Sequence, residues 1–220
     1  MQAMDHPTYL ALREGAQVLE ADGSGDKVLR LRDGLMLKLF RRKRLLSSAL
    51  LFPYAGRFER NARALSGLGI PCPEVLATYR IASIERDAVY YRPLPGDTLR
   101  QLLDDRAQAQ PLRRQLGQFV ARLHEAGVYF RSLHLGNVVL TPDNQLGLID
   151  IADLQHQRRP LRDSQRERNF HHMLRYPQDR QWLLGEDGGA TFLQGYCQEL
   201  ERGQHKPRPR LLNNLRQLLG

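Results

Sequence analysis

A short segment rich in proline and glycine, Pro93 to Gly96, divides the sequence into two parts with different hydrophobic periodicities. Before it, apolar residues mostly alternate with polar ones, as in half-buried β-strands, whereas after it they recur every three or four residues, as in amphipathic helices. Clusters of proline and glycine typically mark connections between structural units. The sequence therefore predicts an α+β protein with a β-rich lobe over residues 1–93 and a mainly helical lobe over residues 94–220.

The first lobe is predicted to contain an antiparallel sheet of five strands and one main helix. Asp33-Gly34 lies between two apolar runs and is a strong hairpin signal. A stretch rich in leucine, alanine and arginine, 44–68, predicts two helical pieces broken near Pro53 and Gly56, the second over Arg57–Leu68. The predicted strands are Gln17–Glu20, Lys27–Leu31, Leu35–Phe40, Val75–Ile81 and Ala88–Tyr91.

The second lobe is predicted to be helical around a small hairpin. Asp97 or Thr98 is a candidate cap for a short helix with leucines at 99, 102 and 103. Pro111 is expected in the first turn of a longer helix that ends near Gly127. Two short apolar runs on either side of Pro142-Asp143-Asn144 predict the hairpin, with strands Val138–Leu140 and Leu146–Ile149.

Strands with one helix, a connector, and then helices around a hairpin follow the plan of a protein kinase. Phosphoryl transfer depends on positioning and on charge neutralisation, so a kinase needs a lysine for the phosphates and oxygen ligands for Mg²⁺. Lys38 is on the third strand and Glu59 on the helix that should face it. The run from Phe130 to Asn137 matches the catalytic loop in length, and it carries Arg131, Ser132 and His134. Asp150 follows the small hairpin, as the metal-binding aspartate of kinases does.

At family level, the chain resembles the lipopolysaccharide (Kdo/heptose) kinases and, more closely, the toluene-tolerance-type proteins of Gram-negative bacteria. Four segments carry the resemblance: 68–73 (LGIPCP), 91–99 (YRPLPGDTL), 123–128 (LHEAGV) and 148–150 (LID). The resemblance implies a two-lobed protein-kinase-like fold, ATP and Mg²⁺ as cofactors, and a sugar hydroxyl of the lipopolysaccharide core as acceptor. On this reading Lys38 and Glu59 position ATP, Asn137 and Asp150 bind Mg²⁺, and Arg131 stabilises the loop.

Several of these residues also have a simpler structural interpretation. Gly23 and Gly25 could let backbone amides approach phosphates, but any hairpin can carry such a loop. Lys38 could protect an edge strand, and Glu59 could be an ordinary solvated helix residue. Asn137 and Asp150 could be turn and strand-end residues. His124 is expected to be structural and to donate to a nearby loop, and His171 and His172 to be exposed.

Ser132 stands where kinases carry the aspartate that accepts the hydroxyl proton. Serine cannot act as a general base, and loss of such a base costs roughly 10² to 10⁴ in rate. His134 or Asp153 is a candidate replacement. The alternative is a catalytically weak or inactive pseudokinase that acts as a nucleotide-binding scaffold or regulator in envelope biogenesis.

The chain is strongly basic, with a formal net charge of +9, which favours anionic partners. The densest positive stretch contains Arg158, Arg159, Arg162, Arg166 and Arg168, and it could be a solvated face or a dock for a phosphorylated sugar or the anionic inner-membrane leaflet. Nucleic acid binding is disfavoured because no aromatic residues are interleaved. The lack of a signal pattern or membrane span predicts a cytoplasmic protein, in peripheral contact with the inner membrane at most.

Overall fold

The computed structural model describes residues 1–23, 25–41, 53–203 and 209–219. The first of the two predicted helical pieces, between residues 44 and 52, lies outside these ranges. The described chain forms two compact units, which are Met1–Leu94 with Asp150–Asp153, and Pro95–Ile149 with Leu154–Gly220. The short Asp150–Asp153 segment therefore belongs to the first unit, although both of its neighbours along the chain belong to the second.

The first unit is built on a sheet of six described strands. The predicted five are present, and a sixth, β1, pairs in parallel with β5, so the sheet is neither five-stranded nor wholly antiparallel. β1 was not predicted, because two residues are too few to show a periodicity. In chain order the strands are β1 (Gln2–Ala3), β2 (Gln17–Asp22), β3 (Gly25–Arg30), β4 (Met36–Arg41), β5 (Glu74–Ile81) and β6 (Arg86–Arg92).

Two described helices flank this sheet, α1 (His6–Arg13) and α2 (Tyr54–Gly67). α2 buries the apolar stripe of Phe58, Ala62 and Leu65. Burial of these side chains is the main reason that a helix forms here, because α2 has no side-chain cap at its N-terminus. The helix begins three residues before its predicted start at Arg57.

The second unit is mainly helical, and it differs from the prediction at its start. Asp97 and Thr98 form a short strand, β7, that pairs with the hairpin, so they do not cap a helix. The main helix, α3, is Arg106–Glu125, and Asp105 caps it by accepting a hydrogen bond from the amide of Gln108. Pro111 consequently lies inside α3. The local proline rule misplaced the helix start, because Asp105 offers an earlier cap.

The other elements of this unit include the predicted hairpin. Its strands are β9 (Val138–Leu140) and β10 (Leu146–Leu148). A second pair joins β8 (Val128–Tyr129) to β11 (Gln155–His156). The helices that follow are α4 (Asp163–Met173), α5 (Pro177–Leu184), α6 (Ala190–Arg202) and α7 (Pro209–Leu219). None of the described helices is both long and apolar enough to cross a bilayer.

Glycines let α3 and α6 approach closely, which fixes the core of the second unit. A Cβ at Gly117 would lie 2.1 Å from the carbonyl oxygen of Phe192, and one at Gly195 would lie 2.1 Å from that of Arg114. Only glycine fits at such a crossing. Because α3 leads directly to the loop at 130–137, its packing against α6 sets the position of that loop.

Candidate functional site

Lys38 lies in the middle of the sheet of the first unit. It is on β4, which pairs with β3 and β6, and opposite Lys38 stand Val28 and Val89. Its neighbours Leu37 and Leu39 are buried, so the backbone at this position is held firmly. Lys38 is therefore not an edge-strand lysine.

The Lys38 ammonium forms an ion pair with the carboxylate of Asp150. The lysine side chain is 16% exposed, whereas that of Asp150 is 51% exposed. Asp150 has a φ of 53°, in the left-handed region that non-glycine residues rarely occupy. Backbone strain of this kind is often found at functional sites, where the surrounding structure enforces it. The pair thus joins a well-anchored cation to a carboxylate that solvent can reach.

Glu59 has other partners than the expected lysine. Its carboxylate lies 3.2 Å from the guanidinium of Arg63 and 3.4 Å from the hydroxyl of Thr78, which donates to it. Within the described ranges it makes no ion pair with Lys38. Glu59 also lines a surface groove of about 510 Å³ between α2 and the loop that leads to β5. Its role in positioning ATP remains a prediction.

Asn61, which sequence reasoning missed, ties α2 to the segment that carries Asp150. Its side chain is buried, and the amide nitrogen donates to the carbonyl oxygen of Ile151 at 2.7 Å. A polar residue next to the apolar stripe of α2 was the available signal, since such a residue needs a buried partner. The contact fixes the backbone directly after Asp150.

Gly23 and Gly25 lie at the tip of the hairpin between β2 and β3, and Ser24 between them lies outside the described residues. Gly25 has a φ of 108°, which requires glycine. The neighbouring carboxylates are paired: Lys27 pairs with Glu20 at 3.1 Å and with Asp22 at 3.4 Å, and Arg13 pairs with Asp26 at 2.6 Å. These two cations face three carboxylates, so the local charge does not attract a phosphate.

In the second unit, the loop 130–137 is folded around Asn137. The Asn137 amide nitrogen donates to the carbonyl oxygen of Ser132 at 3.0 Å, and the backbone amide of Ile149 donates to the Asn137 carbonyl at 3.0 Å. Because the side-chain nitrogen is used in this way, the side-chain oxygen is the atom that can serve a cation. Arg131 is exposed, and Ser132 is partly buried.

Both ring nitrogens of His134 face hydrogen-bond donors. Nδ1 lies 3.4 Å from the guanidinium of Arg100, and Nε2 lies 3.3 Å from the amide nitrogen of Asn137. A neutral imidazole has one acceptor nitrogen, so only one of these contacts can be a true hydrogen bond. An added proton would point at a donor and place a positive charge beside Arg100. His134 is thus poorly placed to accept the proton of a substrate hydroxyl.

Arg100 and Asp179 form a bidentate ion pair that sequence reasoning also missed. The two contacts are 2.9 and 2.7 Å, and the Asp179 side chain is fully buried. Asp179 also accepts a hydrogen bond from the backbone amide of Leu135 at 3.0 Å, and so holds the loop. The hydrogen bonds that Arg100 donates to Asp179 raise the pKa of Arg100. No local pattern links residues 79 positions apart, which is why the sequence did not reveal the pair.

A second buried network lies around Arg166, which is therefore not part of a positive surface as predicted. Its guanidinium donates to the carbonyl of Leu161 at 2.9 Å, the hydroxyl of Tyr196 at 3.1 Å and the carboxylate of Glu125 at 2.6 Å. The remaining arginines of that stretch are exposed. Arg166 on α4 is inward-facing because the helix turns it toward the core.

His124 is structural, as expected, but its side chain contacts Tyr196 and not a loop. The Tyr196 hydroxyl accepts a hydrogen bond from Arg166 and shares another with Nδ1 of His124, at 2.9 Å. Complete burial, together with the charge of Arg166, lowers the pKa of His124 to about 3. The loop contact is made by the His124 backbone carbonyl, which accepts from the amide of Leu161 at 2.8 Å.

Among the described residues, no three His, Cys, Asp or Glu side chains cluster as a metal site would require. The two predicted Mg²⁺ ligands, Asn137 and Asp150, belong to different units, and each offers an oxygen atom. Mg²⁺ usually takes one or two carboxylates and completes its coordination with phosphate oxygens and water. The side-chain chemistry of each residue fits a Mg²⁺ ligand, and binding of the ion by Asn137 and Asp150 stays a prediction. Asp153 lies partly buried in the turn after Asp150.

Comparisons with known proteins agree with the resemblance seen in the sequence. Residues 15–131 match the model of the phosphotransferase enzyme family (APH), and residues 95–196 match that of the lipopolysaccharide kinase (Kdo/WaaP) family. The chain is 32% identical over 87 residues to the EKC/KEOPS complex subunit BUD32 of Encephalitozoon cuniculi. That match covers 38% of this chain, and the chain spans only 41% of the length of this curated relative.

A solved structure shares the fold. It is the structure of a divergent kinase that lacks the glycine-rich loop. This kinase regulates membrane ultrastructure of the Toxoplasma parasitophorous vacuole. The likeness has a TM-score of 0.51 at 18% identity and covers all of this chain and 86% of the other. The predicted kinase-like fold is thereby confirmed.

Proposed function

Because this chain belongs to the phosphotransferase enzyme family, whose model matches more than half of its length, we propose that it transfers a phosphoryl group from ATP to a sugar hydroxyl of the lipopolysaccharide core. The ion pair between Lys38 and Asp150 carries the proposal. Both partners would bind the nucleotide complex in place of each other. Lys38 would exchange Asp150 for the α- and β-phosphates, and Asp150 would turn to Mg²⁺.

The proposal also gives a role to each of the remaining predicted site residues. Mg²⁺ would supply charge neutralisation at the phosphates, with Asp150 and the side-chain oxygen of Asn137 as its protein ligands. Glu59, Gly23 and Gly25 would line the nucleotide, and Arg131 would lie at the surface of the loop. Arg100 and Asp179 hold the backbone of that loop, so Ser132 and Asn137 are presented on a fixed frame.

The acceptor is proposed to be an anionic lipopolysaccharide precursor, probed most simply as a phosphorylated core sugar. The match of residues 95–196 to the lipopolysaccharide kinase model supports this, since it includes the whole loop 130–137. The high positive charge of the chain supports an anionic acceptor. Such a precursor would be met at the cytoplasmic face of the inner membrane.

Calorimetry of ATP binding, with and without Mg²⁺, tests the site. We expect Mg²⁺-dependent binding by the wild type, its loss in Asp150→Ala, and wild-type binding by Asp143→Ala, which removes an exposed aspartate from the hairpin turn. Wild-type affinity in Asp150→Ala would contradict the site. A single-turnover assay with purified core oligosaccharide then tests the reaction, and Asp150→Ala should abolish it.

The second candidate function is a nucleotide-binding scaffold without catalysis. It is favoured by Ser132, which supplies no carboxylate, and by the two donors that face His134. Neither residue is suited to accept a proton. Nucleotide binding without phosphate transfer in the single-turnover assay would establish the scaffold, whereas transfer at any measurable rate would exclude it.

A further inference from the structure

Five exposed arginines of the second unit lie close together in the sequence, between residues 158 and 175. In the first unit, Arg13, Lys27, Lys38, Arg80 and Arg92 all pair with carboxylates. Within the described part of the chain, the guanidinium groups of the five make no ion pair. We call them the arginine face, and they are Arg158, Arg159, Arg162, Arg168 and Arg175.

Helix geometry arranges part of this face as a stripe. Ser164, Arg168 and His171 are exposed and recur at the three- and four-residue spacing of one side of α4, and Arg175 follows two residues after the helix ends at Met173. The opposite side of α4 is buried through Arg166, Asn169, Phe170 and Met173. The stripe is thus carried by a helix whose inner side is fixed by packing.

Within the described residues, no ion pair joins the carboxylates of α4 to the arginine face. Glu167 accepts a hydrogen bond from the side chain of Asn214 on α7 at 2.7 Å. Asp163 stands at the N-terminal end of the helix, which favours a negative charge. The outer side of α4 therefore presents the guanidinium group of Arg168, and Arg175 lies just beyond the C-terminal end of the helix.

The chemistry of the face favours phosphate over other anions. Segment 155–203 contains no lysine, so its positive charge is carried by guanidinium groups, which grip phosphate bidentately. The groups are spread over a helix and a loop, which suits a surface that presents many phosphates better than a single one. The exposed large apolar side chains of the described residues all lie between Met1 and Leu76, so the face offers ionic contact without insertion.

We propose that the arginine face binds the surface of a bilayer through the phosphate groups of acidic lipids. It would keep the phosphotransferase beside a lipid-anchored acceptor, and in that respect the inference rests on the proposed function. Each basic residue near an acidic bilayer raises the partition coefficient about fivefold. Contacts of this kind weaken steeply as salt rises.

Co-sedimentation with vesicles tests the face on the full chain, without ATP or Mg²⁺. The probes are vesicles of phosphatidylcholine alone and vesicles with one third phosphatidylglycerol, both at 50 and 300 mM salt. We expect binding to the acidic vesicles at low salt only. Arg168→Glu/Arg175→Glu should bind at least about 25-fold more weakly. Arg30→Glu/Arg32→Glu changes the net charge equally on exposed arginines of the first unit and should bind almost as the wild type does.

Three results would overturn the proposal. The first is equal binding to neutral and acidic vesicles, and the second is an equal loss of vesicle binding in the two double variants. The third is binding to a short RNA that is tighter than binding to vesicles and that depends on the same arginines. Circular dichroism of each variant confirms that it is folded. Because nucleotide is absent, failure here leaves the ATP-binding result untouched, and failure of ATP binding leaves the vesicle result untouched.

Discussion

The two ion pairs Lys38–Asp150 and Arg100–Asp179 each join a basic residue to a distant aspartate, but they differ in the burial of their carboxylates. Asp150 is 51% exposed and makes one contact with a lysine, whereas Asp179 is fully buried and makes two with an arginine. Asp179 also accepts the amide of Leu135, so it holds the backbone of the loop.

The difference in burial assigns the two pairs different roles. An exposed pair contributes little to stability, so a ligand can displace it at low cost. Removal of one partner from a buried pair leaves an uncompensated charge and destabilises the fold. The Lys38 pair is therefore suited to exchange partners with a nucleotide, and the Arg100 pair is suited to keep the loop in one conformation. The predictions below test this division of roles.

The largest effect is expected for Asp179→Ala. The change leaves Arg100 and the amide of Leu135 without their acceptor, and it should lower the free energy of unfolding by about 3 to 5 kcal/mol. Urea denaturation measures this, with Asp179→Asn as a milder variant should the first fail to fold. Equal losses in Asp179→Ala and Asp150→Ala would abolish the distinction between the pairs.

Ser132→Asp should raise the rate of phosphate transfer. If Asp179 and Arg100 hold the loop in a kinase-like conformation, a carboxylate at position 132 would act as the general base. It should raise the rate of transfer by roughly 10² or more. The single-turnover assay measures the gain, and Ser164→Asp introduces the same charge at an exposed site of α4 as control. A variant that binds ATP but transfers no faster would show that the loop does not present residue 132 to a substrate.

His124 should make the second unit sensitive to acid. Its pKa in the folded chain is about 3, below the ordinary value of 6.5, so the unfolded chain takes up the proton first as pH falls. The contribution of His124 to the free energy of unfolding is therefore fully present above pH 6.5. Below that pH it should decline by about 1.4 kcal/mol per pH unit. Urea denaturation at pH 7, 6 and 5 should give a shallower decline in His124→Gln than in the wild type. His171→Gln, at an exposed site, should retain the wild-type slope.

The smallest effect on stability is expected for Lys38→Met. Loss of a pair whose carboxylate is half exposed should change the free energy of unfolding by less than about 1 kcal/mol. ATP binding, in contrast, should fall below detection in calorimetry. A large loss of stability would mean that the pair is structural, like that of Arg100, and would count against the proposed exchange.

The sequence by itself determined the elements and their order, because periodicity and turn residues are local properties. The strands of the sheet, the apolar stripes of α2 and α3 and the hairpin around Asn144 were predicted, and the kinase-like fold was confirmed. It also placed Lys38 on a strand and Asn137 and Asp150 beside the hairpin. Local rules misplaced the start of α3 and missed β1, since a cap outside the periodic run and a two-residue strand leave weak signals.

Only the tertiary structure decided which polar residues became partners. Lys38 pairs with Asp150 and Glu59 with Arg63; Arg100 meets Asp179, and Arg166 turns inward to Glu125 and Tyr196. Most of these partners are tens of residues apart. The sequence also does not show whether a charged side chain is buried or exposed. Burial and long-range packing, which no local pattern encodes, therefore separate the groups that hold the loop from those left available to a ligand.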